Sequence, residues 1–472
     1  MSRSAVRAGE PRYDGAMFAS RLGVPWKYAA ALTLVGAIAA AAVWPRAHRR
    51  TASPPPPPPL TWVELHVKLR AEAAVAPRLA SGWGTPVFTH LPAGTHDARA
   101  RWLDVWIPVP GPGDVDRAIA AVASDPAVEL ALRPAAAVLA RIEPSPAADD
   151  DAESCPITTP SFESYQGYLG PAPHGIDAPA AWRRGARGQG VWFADVEGGW
   201  NPQHEDLPGD RIELVGGRMN PDPDWRAHGT AVLGEVVGAD NARGVVGIAP
   251  DVERVLTSSV WGQSLADAID TPAELLRAGD VLLIELQLSG PRGRYVPVEL
   301  NQAIFDAIQA ATSRGVIVIE AAGNGGEDLD HRFYRRAFDR RTRDSGAILV
   351  GAGGPPRGGY ADRERLDFSN YGSRVDVQGW GRQVATLDYG DLQTCAGADR
   401  HYTDRFSGTS SASPIVAGAA VLLEGIARQR GRVLSPAELV ALLRRTGTPQ
   451  AGDLSEPIGP RPDLARAISE LH

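Results

Sequence analysis

At 472 residues the chain is long enough for about three average domains, and 43% apolar with 22% charged residues describes a globular protein with a sizeable core. A formal charge of −8, without a basic stripe in the body of the chain, argues against nucleic acid as a partner.

Residues 1–27 form a polar leader carrying Arg3, Arg7, Arg12, Arg21 and Lys27. Residues 28–44 are apolar and uncharged, a run of about 17 that lies between a signal-peptide core and a short membrane span. Lys27 precedes it and Arg46, Arg49 and Arg50 follow, so charge asymmetry does not fix an orientation. Ala40-Ala41-Ala42 suits a signal peptidase, whereas the long leader suits an uncleaved anchor, and both remain open. Either way the expectation is export, with the main domain outside the cytoplasm: secreted if residues 28–44 are cleaved, held at the membrane through them if not. Residues 45–60 are a linker in which Pro54 to Pro59 make a stiff extended spacer.

Residues 61–143 have strand-like segments at Trp62 to Leu69, Trp102 to Val109 and Val128 to Leu132. One clear helix spans Val115 to Ser124, and a weaker one lies around Ala71 to Leu79. That order predicts a small α+β ferredoxin-like sandwich. Residues 144–172 are rich in Pro, Asp and Ser, including Asp149-Asp150-Asp151, and read as a linker accessible to processing.

From 173 to 472 short apolar strands alternate with helical segments, which predicts a mostly parallel sheet covered on both faces. The strand Val191 to Ala194 ends in Asp195, at the strand end where catalytic groups of such sheets gather. His228 stands in Ala227-His228-Gly229-Thr230, opening a helix of small residues. Asn324 stands in Gly323-Asn324-Gly325 after the strand Val316 to Ile319. Near the end, Phe406-Ser407-Gly408-Thr409-Ser410-Ser411-Ala412-Ser413-Pro414 opens a helix that is apolar on nearly all sides, as for a helix buried in a large core. A hydroxyl at that N-terminus sits beside free N–H groups, which favour a developing oxyanion. Taken singly, each of these residues has an ordinary structural reading as a cap, a turn or a satisfied core histidine.

The block Gly-Thr-Ser-x-Ala-Ser-Pro resembles the nucleophile block of the subtilisin-like serine peptidases, the subtilases, and the resemblance runs in the right order from about Asp177 to His472. It implies a three-layer α/β subtilisin-like fold and a serine endopeptidase that acts through an acyl-enzyme. By the same resemblance Ser410 is the nucleophile, His228 the general base, Asp195 its supporting acid and Asn324 an oxyanion donor. The family usually has Asp-Ser/Thr-Gly at the acid, from which Val196-Glu197 departs. The resemblance also places substrate as an added strand on Gln287, Leu288, Ser289 and Gly290, with Ala321, Ala322 and Gly323 opposite. The usual residues there are Ser-Leu-Gly, so Gln287 and Ser289 are departures. Within residues 61–143 the stretch Asp114 to Ala140, with its Asp125-Pro126-Ala127-Val128 turn into a strand, resembles the family's prodomain, a folding aid and active-site cap, which implies autoprocessing and the chain's own prodomain as a partner beside polypeptide substrates; an unrelated small α+β domain is the alternative.

Glu285 and Glu320 interrupt otherwise apolar strands that the resemblance makes neighbours, and two close buried carboxyls predict a shared proton or an interaction with a basic substrate residue, the alternative being that each is hydrogen-bonded separately. Cys155 and Cys395 form a disulfide only if the fold brings them together. No cofactor is implied and no metal ligand is assigned; calcium is frequent in the family, yet no dense Asp/Asn cluster locates a site. An α/β-hydrolase needs Gly-x-Ser-x-Gly and the order Ser, Asp, His, and the chain has neither. The alternative from another class is an inactive peptidase-fold scaffold that binds partners.

Overall fold

The computed structural model describes residues 61–71, 85–92, 95, 97–109, 111–140, 158–394 and 397–471. The apolar run 28–44, the proline run, residues 72–79 of the weaker helix, residues 144–157 of the linker and both cysteines lie outside them. The chain divides into two compact units: residues up to 87 with 100–134, and residues 88–99 with 135–472.

The smaller unit contains β1 (Thr61–Leu69), β2 (Thr85–Pro86), β3 (Trp102–Val109), α1 (Val115–Ala123) and β4 (Val128–Leu132). Its antiparallel sheet has the order β2-β3-β1-β4. Alternation along β1 puts Leu65, Val67 and Leu69 on one face, where they meet Leu103, Ile107 and Val128 beneath Ala118, Ile119 and Val122 of α1.

The larger unit begins with β5 (Val138–Leu139), α2 (Ala178–Trp182), β6 (Trp192–Glu197), β7 (Ile212–Gly216), α3 (Pro223–Val237) and β8 (Arg254–Ser259). It continues through α4 (Leu265–Leu275), β9 (Val281–Ile284), β10 (Leu286–Ser289), β11 (Tyr295–Pro297), α5 (Gln302–Ser313) and β12 (Ile317–Ala321). It ends with β13 (Ile348–Gly353), β14 (Val377–Trp380), β15 (Val384–Leu387), β16 (Tyr402–Phe406), α6 (Thr409–Gln429), α7 (Pro436–Thr446) and α8 (Leu464–Glu470). Seven parallel strands in the order β14-β13-β12-β9-β6-β8-β7 form the central layer of a three-layer α/β fold. Both faces are covered, which is why Val281 to Ile284 and Ile317 to Ile319 are apolar without alternation.

Helix α6 crosses β9, β12, β13 and β14, and every residue from Thr409 to Ala427 is buried. It is long and apolar enough to cross a membrane, yet its apolar window is wholly enclosed. Ile415, Val416, Val421, Leu422, Leu423 and Ile426 each contribute roughly 1.5–3 kcal/mol by burial. Helix starts carry their own caps: Asp222 accepts from Asp224 N, Asn301 from Ala303 N, and Ser435 forms a capping box with Glu438.

Two segments of the expected small domain sit in the larger unit, and specific contacts hold them there. Thr89 donates from its N–H and hydroxyl to Asp267, at 2.9 and 2.7 Å. Arg99 is buried against Asp270 at 2.6 Å and against Glu274. Further along, β5 pairs antiparallel with β10.

Candidate active site

The chain leaves β6 for β7 on one side and later returns through β9 on the other, so the carboxyl ends of β6 and β9 flank a switch point of the sheet. Strand period two turns Phe193, Asp195 and Glu197 to one face, and Phe193 packs there in the same core as α6. His228 lies in the second turn of α3, and Gly229 lets that helix approach the loop after β6, where an added Cβ would lie 2.3 Å from the Gly199 carbonyl. Nδ1 of His228 is 2.7 Å from Oε1 of Glu197, and both side chains are fully buried. A carboxylate at that nitrogen favours the tautomer with the proton on Nδ1, which makes Nε2 the acceptor nitrogen. The rings of Phe406 and His228 meet edge to face, with centroids 5.4 Å apart.

Asp195 does something else. Its Oδ2 accepts from Trp200 Nε1 at 2.7 Å. The expectation of Asp195 beside His228 therefore does not match this geometry, in which the acid at the imidazole comes two residues later. The spacing carried a signal for it: in Asp-Ser/Thr-Gly the acid stands two residues before glycine, as Glu197 stands before Gly199. Burial pushes both carboxyls up from their ordinary range; the charge of Glu197 adds to this at Asp195, while the Trp200 indole there and the Gly198 N–H at Glu197 oppose it.

Ser410 is the second residue of α6, in the turn whose N–H groups have no intrahelical partner. Its hydroxyl donates to the Glu285 carbonyl at 3.4 Å, a long and weak bond. Asn324 follows β12, and its Oδ1 accepts from Thr409 N at 2.9 Å and from Thr409 Oγ1 at 3.0 Å. Those two bonds aim the amide Nδ2 at the Ala140 carbonyl, to which it donates. Gly408, at φ 113°, leaves room for that carbonyl, since an added Cβ would lie 2.3 Å from the Ala140 oxygen. The residues before Ala140 are β5, in register Leu286 to Leu139 and Gln287 to Val138.

A family profile described as the Subtilase family matches residues 210–459, more than half of the chain. The chain belongs to the subtilase family. It is similar to an intracellular serine protease of Paenibacillus polymyxa, 32% identical over 285 residues that cover 57% of this chain and 78% of that protein. It is also similar to the major intracellular serine protease of Bacillus subtilis, 29% identical over 293 residues, covering 57% and 80%. In fold it is like the crystal structure of fervidolysin from Fervidobacterium pennivorans, with TM-score 0.56 and 18% identity over 87% of this chain and 61% of that one. This subtilase is a serine-type endopeptidase.

Within the subtilase the other expected site residues divide. Gln287 reaches β5 with its side chain, donating from Nε2 to Leu139 O at 2.7 Å. Leu288 and Ser289 pair with Val296 and Tyr295 of β11, and Gly290 N donates to Arg294 O. Ala321 closes β12, and Ala322 and Gly323 lead into Asn324, pinned by Val350 O and by Asn370 N. Asn370, which the sequence analysis did not single out, holds this loop. Its Oδ1 accepts from Gly325 N and Glu327 N, and its Nδ2 donates to Tyr295 O and Ala322 O.

Glu285 and Glu320 are not a pair. Glu320 is in register with Ile284, so Glu285, one residue on, turns to the opposite face. Glu285 faces α6, where its Oε2 meets Ser413 Oγ at 3.1 Å. The Ser413 hydroxyl has one proton, shared between Glu285 Oε2 and Thr409 O, which lies 2.6 Å away. Burial, joined by the charges of Asp195 and Glu197, pushes the Glu285 carboxyl up, and the bond from Ser413 opposes this. Glu320 instead accepts from Glu299 N at 3.0 Å, beside the buried Glu299–Arg374 pair, and burial together with the Glu299 charge pushes it up to about 8.

Proposed function

We propose that this subtilase cuts its own chain after Ala140 and then hydrolyses polypeptides with Ser410 as nucleophile, His228 as base and Glu197 as its supporting acid. The seat of Ala140 carries the reading: its carbonyl accepts from Asn324 Nδ2 while Val138 and Leu139 run as a strand on β10. A peptide held for hydrolysis needs both features, an extended backbone on a strand edge and a carbonyl on preorganised donors.

Ser410 Oγ attacks the Ala140 carbonyl carbon while His228 Nε2 takes the hydroxyl proton. Asn324 Nδ2 and the N–H groups of the first turn of α6 receive the oxyanion. Collapse breaks the bond to the Arg141 nitrogen, which leaves with the proton from His228, and the acyl group stays on Ser410. Water gives a proton to His228, attacks the ester and releases the Ala140 carboxylate. Throughout, Glu197 holds the Nδ1 proton and balances the imidazolium charge. The processing point is then the bond after Ala140 rather than one in 144–172, and residues 61–140 act as the prosegment. The same donors serve polypeptides presented afterwards. Export through residues 28–44 puts this activity outside the cytoplasm, on the strength of the uncharged apolar run and the proline spacer after it.

The test is intact-mass analysis of the chain lacking residues 1–50, with and without Ser410→Ala, followed by fluorophosphonate labelling. Wild type should yield a fragment beginning at Arg141 and take the label, and Ser410→Ala should stay whole and unlabelled. Equal cutting of both forms at that bond, or a folded wild type that is neither cut nor labelled, overturns the reading. Fractionation of cells making the full chain tests export, which retention in the cytoplasm would refute.

A further inference from the structure

Gln287 occupies a position where the family's usual residue is serine, and both the oxygen and the nitrogen of its amide have a partner. Oε1 accepts from the backbone N–H of Asn324 at 2.8 Å, and Nε2 donates to the Leu139 carbonyl at 2.7 Å. The side chain is fully buried. A backbone N–H only donates and a carbonyl only accepts, so the amide's orientation follows from its partners. One side chain thus touches both the backbone of the oxyanion residue and the carbonyl of the residue before the acyl residue.

We infer that Gln287 is a positioning residue that reads the backbone carbonyl of the substrate residue preceding the acyl residue and couples it to Asn324. This rests on Val138 to Ala140 lying as a substrate does. A serine hydroxyl at 287 is too short to span the two partners, so the link belongs to this chain's own residue. The preferred substrates are polypeptides with an ordinary peptide carbonyl at that place, whatever side chain the residue carries. Because the contact to Asn324 orients a group that receives the oxyanion, its loss reaches turnover as well as binding.

Two experiments test the inference. In the self-processed enzyme, Ala-Val-Leu-Ala nitroanilide is compared with its analogue in which an alkene replaces the Leu–Ala peptide bond, in wild type and in Gln287→Met. Wild type should lose about tenfold or more in kcat/KM with the alkene, and Gln287→Met should start about tenfold lower, with a fall in kcat, and lose little further. Equal alkene penalties in the two enzymes would overturn the inference. Gln287→Ser, with the family's usual residue, serves the same comparison if the methionine variant does not fold.

The second experiment needs no catalysis. In the full chain carrying Ser410→Ala, Gln287→Met should speed hydrogen exchange at the Asn324 amide about tenfold. The Gly325 amide, held by Asn370, is the internal control. Unchanged exchange at Asn324 refutes the link even if the proposed self-cleavage fails, so the two readings fall separately.

Discussion

Replacing Glu197 by Gln preserves volume and removes the charge at the imidazole. With Glu197 Oε1 2.7 Å from His228 Nδ1, full charges at an effective dielectric of about 20 attract by about 6 kcal/mol. That energy is present once His228 has taken the serine proton and largely absent before, so it lowers the barrier by about four decades in rate. Loss of the orienting carboxylate in other serine peptidases has an effect of the same order, ~10⁴. Glu197→Gln should therefore slow self-cleavage by about 10⁴, read as the first-order appearance of the Arg141 fragment by intact mass. Asp195→Asn is the control, because its amide oxygen still accepts from Trp200 Nε1, and it should stay within about threefold of wild type. The reverse pattern, a collapse with Asp195→Asn and near-normal cutting with Glu197→Gln, would refute the assignment and the register argument beneath it.

Asn370→Leu should strand four backbone partners around the Asn324 loop, three of them buried, and cost at least ~3 kcal/mol in urea unfolding. A change under about 1 kcal/mol would mean the loop is held elsewhere. Glu424 accepts from Leu434 N, and burial pushes its carboxyl from 4.5 up to about 8 against the pull of Arg428. Between those pH values the folded state holds a proton that the unfolded state has lost, so stability falls as pH rises through the window. Glu424→Gln cannot lose that proton, and its unfolding free energy should gain on the parent by up to ~1.4 kcal/mol per pH unit there. Parallel stability curves for the two proteins would contradict the shift.

The sequence by itself determined the class of sheet and the order of its blocks, because apolar runs and small-residue helix starts are local signals, and its resemblance to the subtilases made Ser410, His228 and Asn324 the candidates. The buried character of α6 was legible for the same reason. Three matters waited for tertiary structure. Asp195 and Glu197 share a face of β6, and although the spacing to Gly199 pointed to Glu197, it is the placement of α3 that brings one carboxyl to the imidazole; the two differ by two residues of strand rise, about 6.6 Å. Glu285 and Glu320 seemed neighbours on adjacent strands, but a register offset of one residue sends them to opposite faces, one to Ser413 and one to Glu299. The seat of Ala140 has no sequence signature of its own, since strand pairing uses backbone groups that every residue carries. Its one legible trace was Gln287, where a longer amide replaced the usual serine, and folding alone gave that amide its two partners.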